Sequence, residues 1–214
     1  MNPPANRAIL VMVATDSAAG TTTVTNGTDT FSAISGADVT QGTIHLLAFG
    51  AITSLTGAQT ITITPQNTGH PLQAGVLTFS GVDQTTPFNN GNATSNTGAS
   101  PISLAVTSVN GDLTSSAIAQ DGPGAGSVTT NQTSRYTNSA AAGLGGDTGP
   151  GTGNTTHTWT DTAFAWTNAA LIGVNVKQVS GTADTPRTPT VGAQTLTGVA
   201  GSLVKGNVLT PITP

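Results

Sequence analysis

No glutamate occurs anywhere in this chain of 214 residues, and lysine occurs only twice. Glutamate and lysine normally line the solvated side of a helix, so a chain so short of them has little from which to build one. Threonine takes their place, at about a fifth of the residues. Its branched Cβ restricts χ1 and suits the pleated surface of a strand better than a helical turn. Charged side chains make up 7% of the chain, against ~25% in an ordinary globular domain. An all-β fold is expected, carrying little charge on any face.

The local patterns agree. Residues 8–14 (AILVMVA) are apolar at every position, as in a central strand of a two-layer structure. Thr60-Ile61-Thr62-Ile63-Thr64 alternates, with isoleucine on one face and threonine on the other. Ile102, Leu104 and Val106 repeat that alternation. Asn26-Gly27 and Asn110-Gly111 predict two hairpins with type I′ turns, joining 21–25 to 28–34 and 102–108 to 113–119. Further strands are expected at 44–49, 75–79, 128–135, 155–160 and 169–176. Many short strands between Gly, Asn and Pro turns predict a jelly-roll-like antiparallel β-sandwich. Three stretches rich in Gly, Asn and Ser, at 89–100, 121–127 and 138–154, read as surface loops.

After Lys177 the composition changes. Pro186 and Pro189 space an extended linker, and strand-like runs follow at 194–199 and 203–209. Residues 1–178 are therefore expected to form the sandwich, and 179–214 a linker and an extended C-terminal arm. The apolar side chains of that arm include Leu196, Val199, Leu203, Val204, Val208 and Ile212. A two-stranded unit is marginal alone. The arm can close its own domain as a final hairpin, add to the sheet edge of another copy, or remain partly disordered.

Candidate chemistry is sparse. Five basic residues and a net charge of −4 leave no cationic surface for nucleic acid. The longest apolar runs are strand length, short of a membrane span, and the Met1-Asn2-Pro3-Pro4 start lacks the basic and apolar regions of a signal peptide. With no cysteine there is no disulfide, thiolate metal site or thiol nucleophile. His45, His70 and His157 stand in separate segments without ligand spacing, so no metal or other cofactor is expected. Asp83, Asp121, Asp147 and Asp161 sit in turn-like contexts, where the carboxylate usually bonds its own backbone. No Gly-x-Ser-x-Gly occurs, and the Gly-rich 122–126 and 143–146 lack the lysine of a phosphate loop and read as flexible linkers. No catalytic residue is assigned, and no enzyme is expected. Trp159, Trp166 and Tyr136 could stack on a sugar, although two tryptophans seven apart also suit a sandwich core.

The run Gly75-Val76-Leu77-Thr78-Phe79-Ser80-Gly81-Val82-Asp83-Gln84-Thr85-Thr86-Pro87 resembles a signature of a jelly-roll-like β-sandwich family found in bacteriophage structural proteins and secreted bacterial proteins. Thr156-His157-Thr158-Trp159-Thr160, with Trp166 and residues 169–176, resembles the closing hairpin of that domain. The opening, residues 6–11 with the segment 21–34, fits the same order. The resemblance covers about residues 6–178 and transfers no catalytic residue. The tail around Thr195-Leu196-Thr197-Gly198-Val199 is similar to short strand units of phage virion proteins. It implies a structural protein of a virus particle, a decoration or fibre-type subunit of a phage head or tail. Its partners would be other copies of itself and capsid or tail proteins, and assembly would take place in the host cytoplasm. The alternatives are an extracellular module that binds a host surface glycan, and a subunit of an extracellular filament.

Overall fold

The computed structural model describes residues 6–16, 20–56, 58–67, 72–98, 100–121, 128–138, 142–161, 166–179 and 194–198. Among these no residue is helical. The strands run, in chain order, β1 (Arg7–Asp16), β2 (Thr22–Thr25), β3 (Ser32–Gln41), β4 (Ile44–Thr53), β5 (Gln59–Pro65), β6 (Leu72–Ser80), β7 (Phe88–Thr97) and β8 (Ile102–Thr107). They continue as β9 (Leu113–Asp121), β10 (Val128–Thr130), β11 (Thr133–Asn138), β12 (Ala142–Pro150), β13 (Asn154–Asp161), β14 (Asn168–Val176) and β15 (Gln194–Gly198). The chain is all-β and sandwich-like, as the composition predicts.

The strands form four sheets, ordered β15-β5-β2, β3-β4-β1-β6, β11-β12-β9-β14-β7 and β10-β13-β8. All pairings are antiparallel except β15 with β5. The destinations of alternate side chains show that these sheets are stacked in that order. From β1, Ala8, Leu10, Met12 and Ala14 join Ala117, Ala119, Ala170, Ile172 and Val174 of β9 and β14 in one core. Ile9, Val11 and Val13 turn the other way and meet Val24, Ile61 and Ile63 of the outer β5–β2 sheet. On the far side, Ile118, Ala169 and Leu171 pack with Ile102, Leu104 and Trp159 of the second outer sheet. Both inner sheets are thus covered on both faces. Such a strand must be apolar at every position, which explains residues 8–14 and corrects the two-layer expectation to four layers.

The two inner sheets also touch along their sides, and glycine makes both contacts. At one side β3 is irregular between Ala33 and Asp38, and Gly36 there has φ of 83°. It meets a bulge of β7 at Asn90-Gly91, where Asn90 has φ of 49°. A Cβ on Gly91 would lie 2.2 Å from the Ser35 carbonyl oxygen, closer than any side chain sits to backbone. At the other side the ring of Tyr136 from β11 lies against Gly75 of β6, where a Cβ would stand 1.9 Å from Cζ. Gly91→Ala has no positive φ to relieve and can only pry β3 from β7, so it should cost about 1–3 kcal/mol. Urea unfolding checks this, and an unchanged midpoint would contradict the close approach.

Several sequence expectations need correction. Neither Asn-Gly pair closes a type I′ hairpin, since neither Asn26 nor Asn110 has positive φ. Asn26 instead caps its turn, its Oδ1 accepting from Thr28 N and Asp29 N, and the chain then leaves for another sheet. Asn110-Gly111 joins β8 and β9 across two layers, because their apolar faces pack on each other rather than pairing edge to edge. Asp112 fixes that arch by accepting from Gln178 N and Asn175 Nδ2. The stretch read as 128–135 is two strands in different sheets. The stretches 89–100 and 138–154, read as loops, contain β7 and β12.

Candidate functional site

The polar chemistry of the interior gathers between the second inner sheet and the second outer sheet. Asp147 on β12, His157 on β13 and Thr114 on β9 are all fully buried. His157 Nδ1 donates to Asp147 Oδ1 at 2.7 Å, and His157 Nε2 shares a hydrogen bond of 3.0 Å with the Thr114 hydroxyl. The same carboxylate oxygen accepts from Ser116 N at 3.2 Å and Ser116 Oγ at 2.6 Å. Its second oxygen accepts from the Thr130 hydroxyl of β10. Ser116 Oγ in turn accepts from Trp159 Nε1 at 2.9 Å. Four polar side chains and an indole thus join four strands of two sheets around one carboxylate. Asp147 is no turn residue; the turn-like Gly-Asp-Thr context misled because β12 is a buried strand.

Glycine explains how β12 can be one. Trp159 lies over Gly145, where a Cβ would meet the ring at 2.8 Å, and Tyr136 lies over Gly146, where it would meet the ring at 2.2 Å. Neighbouring rings occupy the space that side chains of β12 would take, a recognised reason for glycine inside a strand. The linker reading of 143–146 fails on this point.

The order hydroxyl, imidazole, carboxylate is that of a nucleophile, its base and an orienting acid. Here the three groups have no solvent-exposed surface, so a substrate cannot reach Thr114. Thr114 Oγ1 also lies within hydrogen-bonding distance of Gly149 O, at 3.2 Å. The arrangement satisfies buried polar groups and ties two layers together. Nearby, burial and then the Asp147 charge push the Tyr136 phenol upward, while burial pulls the Arg135 guanidinium down against the opposing pull of Asp147.

The other sequence candidates are scattered. Trp159 and Trp166 lie in the core, the latter donating from Nε1 to Asp161 Oδ2 at 3.1 Å. The Tyr136 hydroxyl is buried without a partner. Trp159 and Trp166 present no ring face on which a sugar could stack, which corrects their reading as glycan contacts, whereas the Tyr136 ring is half-buried against Gly75 and Gly146. His45 lies on β4 with Nε2 at 2.8 Å from Asp38 Oδ1, and His70 lies outside the described residues. No cluster of three possible metal ligands occurs among the described residues. Asp83 does bond its own turn: it accepts from Thr85 N and Thr86 N, and these bonds, with Lys177 at 3.4 Å, hold its carboxyl below the usual range. A groove of 820 Å³ opens between β3, β4 and residues 85–91, with Ile34, Ile52, Phe88 and Asn89 among its walls.

The arm residues divide. Leu196 falls in β15, which pairs in parallel with β5, Leu196 opposite Ile61. Val199, Leu203, Val204, Val208 and Ile212 lie outside the described residues. A strand set off by the 180–193 segment thus completes the first outer sheet, which without it would be the pair β5–β2. Comparison with protein-family models, with curated proteins and with solved structures finds no match for this chain.

Proposed function

We propose that this chain is a non-enzymatic structural subunit of a virus particle, a decoration or fibre-type protein of a phage head or tail. It holds its neighbours through β-strand contacts and the C-terminal arm. The observation that carries this reading is the pairing of Gln194–Gly198 with β5, at the edge of an outer sheet and beyond a proline-spaced linker. Strand addition at a sheet edge supplies main-chain hydrogen bonds to whatever surface presents that edge. Weak contacts of this kind, repeated over a particle, sum by avidity. The resemblance of residues 75–87 to phage structural sandwiches supports the same reading.

The partners are other copies of the chain and capsid or tail proteins, and the protein resides in the virion. A glycan-binding role has lost its aromatic platforms, since Trp159 and Trp166 are core residues. The test is a chain ending at Gly181. It should keep a native circular dichroism spectrum while losing sedimentation with particles. Undiminished particle binding by the shortened chain would overturn the arm's role.

A further inference from the structure

In the second outer sheet, side-chain amides occupy the free edge of β8 and the stretch of β13 that the short β10 leaves uncovered. On β8, the carbonyls of Thr107 and Ala105 accept from Asn90 Nδ2 and Asn92 Nδ2, each at 3.0 Å. On β13, the Thr156 carbonyl accepts from Asn131 Nδ2 at 3.1 Å and Gln132 Nε2 at 2.9 Å, and Thr158 N donates to Asn131 Oδ1 at 2.8 Å. Occupied edge groups cannot template another chain, and proteins protect edges in this way. The first outer sheet differs. Thr30 bridges Thr25 at the end of β2, but the β5 edge is met by the main chain of β15.

We infer that the β5 edge is the acceptor for the C-terminal strand of a second copy, so that subunits join by exchange of Gln194–Gly198. This rests on the structural-subunit reading above and names its contact. The hydrogen bonds of a parallel pair are indifferent to which copy supplies the strand, so reach and local concentration decide. Residues 180–193 can span up to ~45–50 Å when extended, whereas β14 and β5 are separated by two sheet spacings of ~10 Å each. A linker with that much spare reach serves a neighbour as well as its own sheet, and strand exchange is a low-cost route to assembly. Because donor and acceptor are different surfaces, the contact is head-to-tail and builds a ring or a row.

The chain contains no cysteine, so the register can be trapped against a clean background. Thr195 stands opposite Thr60, and paired strands lie ~4.8 Å apart, within the Cα range of a disulfide. Full-length Thr60→Cys and Thr195→Cys chains would be mixed and oxidised, and the double variant oxidised alone. The expected result in the mixture is a heterodimer bridged between the two substituted positions, identified by peptide mass and exceeding either homodimer. The double variant should give a covalent ladder. A double variant that closes only within one chain, or no bridge in either sample, overturns the exchange. If native full-length chains still bind particles in that case, the structural-subunit reading stands and only this contact fails.

Discussion

A chain carrying Asp147→Ala should be less stable than the parent by about 3–5 kcal/mol, the cost of removing one member of a buried charged network. The carboxylate receives donors from His157, Ser116 and Thr130, and the fully buried His157 and Ser116 cannot turn to water from their place between two sheets. Alanine leaves each of them without its acceptor and opens a void beside Gly145. For a chain of this size each kcal/mol moves the melting midpoint by roughly 2–4 °C, so a fall of roughly 6–20 °C is expected. Asp147→Asn keeps the volume and one acceptor and should lie between the two. A melting curve within ~2 °C of the parent would show that the network contributes little to stability.

Trp159→Ala should cost a similar amount, about 3–5 kcal/mol, for a different reason. The indole is fully buried among Ile102, Leu104, Ile118 and Leu171 and fills the space over Gly145, so its loss leaves a cavity that rigid strands cannot collapse. Trp159→Phe retains most of the apolar surface but gives up the donor to Ser116 Oγ, and should cost less than Trp159→Ala. Because Trp159 and Asp147 both act on Ser116, their effects should not add. Denaturant midpoints of the singles and the double variant check this. A Trp159→Ala chain of parental stability would place the ring at a surface, where the glycan reading needs it.

Much of the fold was legible. The lack of glutamate and lysine, the alternation at residues 60–64 and 102–107, and the fully apolar 8–14 run led directly to strands. Local periodicity could not tell how many layers there are, because a strand buried on two faces looks the same in any stack. The Asn-Gly pairs misled for a related reason. Turn chemistry records that the chain reverses, and only the packing of Ile102 and Leu104 on Ile118 decides that β8 and β9 face each other across layers.

The interior network was less legible. The two-residue spacing of His157 and Trp159 in a strand places them on one face. Nothing nearby in the sequence showed that Asp147 would meet them, since its strand is written in glycine and looks like a loop. Those glycines were the missed signal: a strand that yields its side-chain space to Trp159 and Tyr136 needs them. The arm was legible as a separate element through its prolines, but its parallel pairing with β5 was not.

The most direct test of assembly through the C-terminal strand is light scattering after size-exclusion chromatography. It compares the full chain with residues 1–180 across a hundredfold range of concentration. The account predicts that the full chain grows in mass with concentration while the shortened chain stays monomeric and folded. Equal masses for the two chains at every concentration would contradict it.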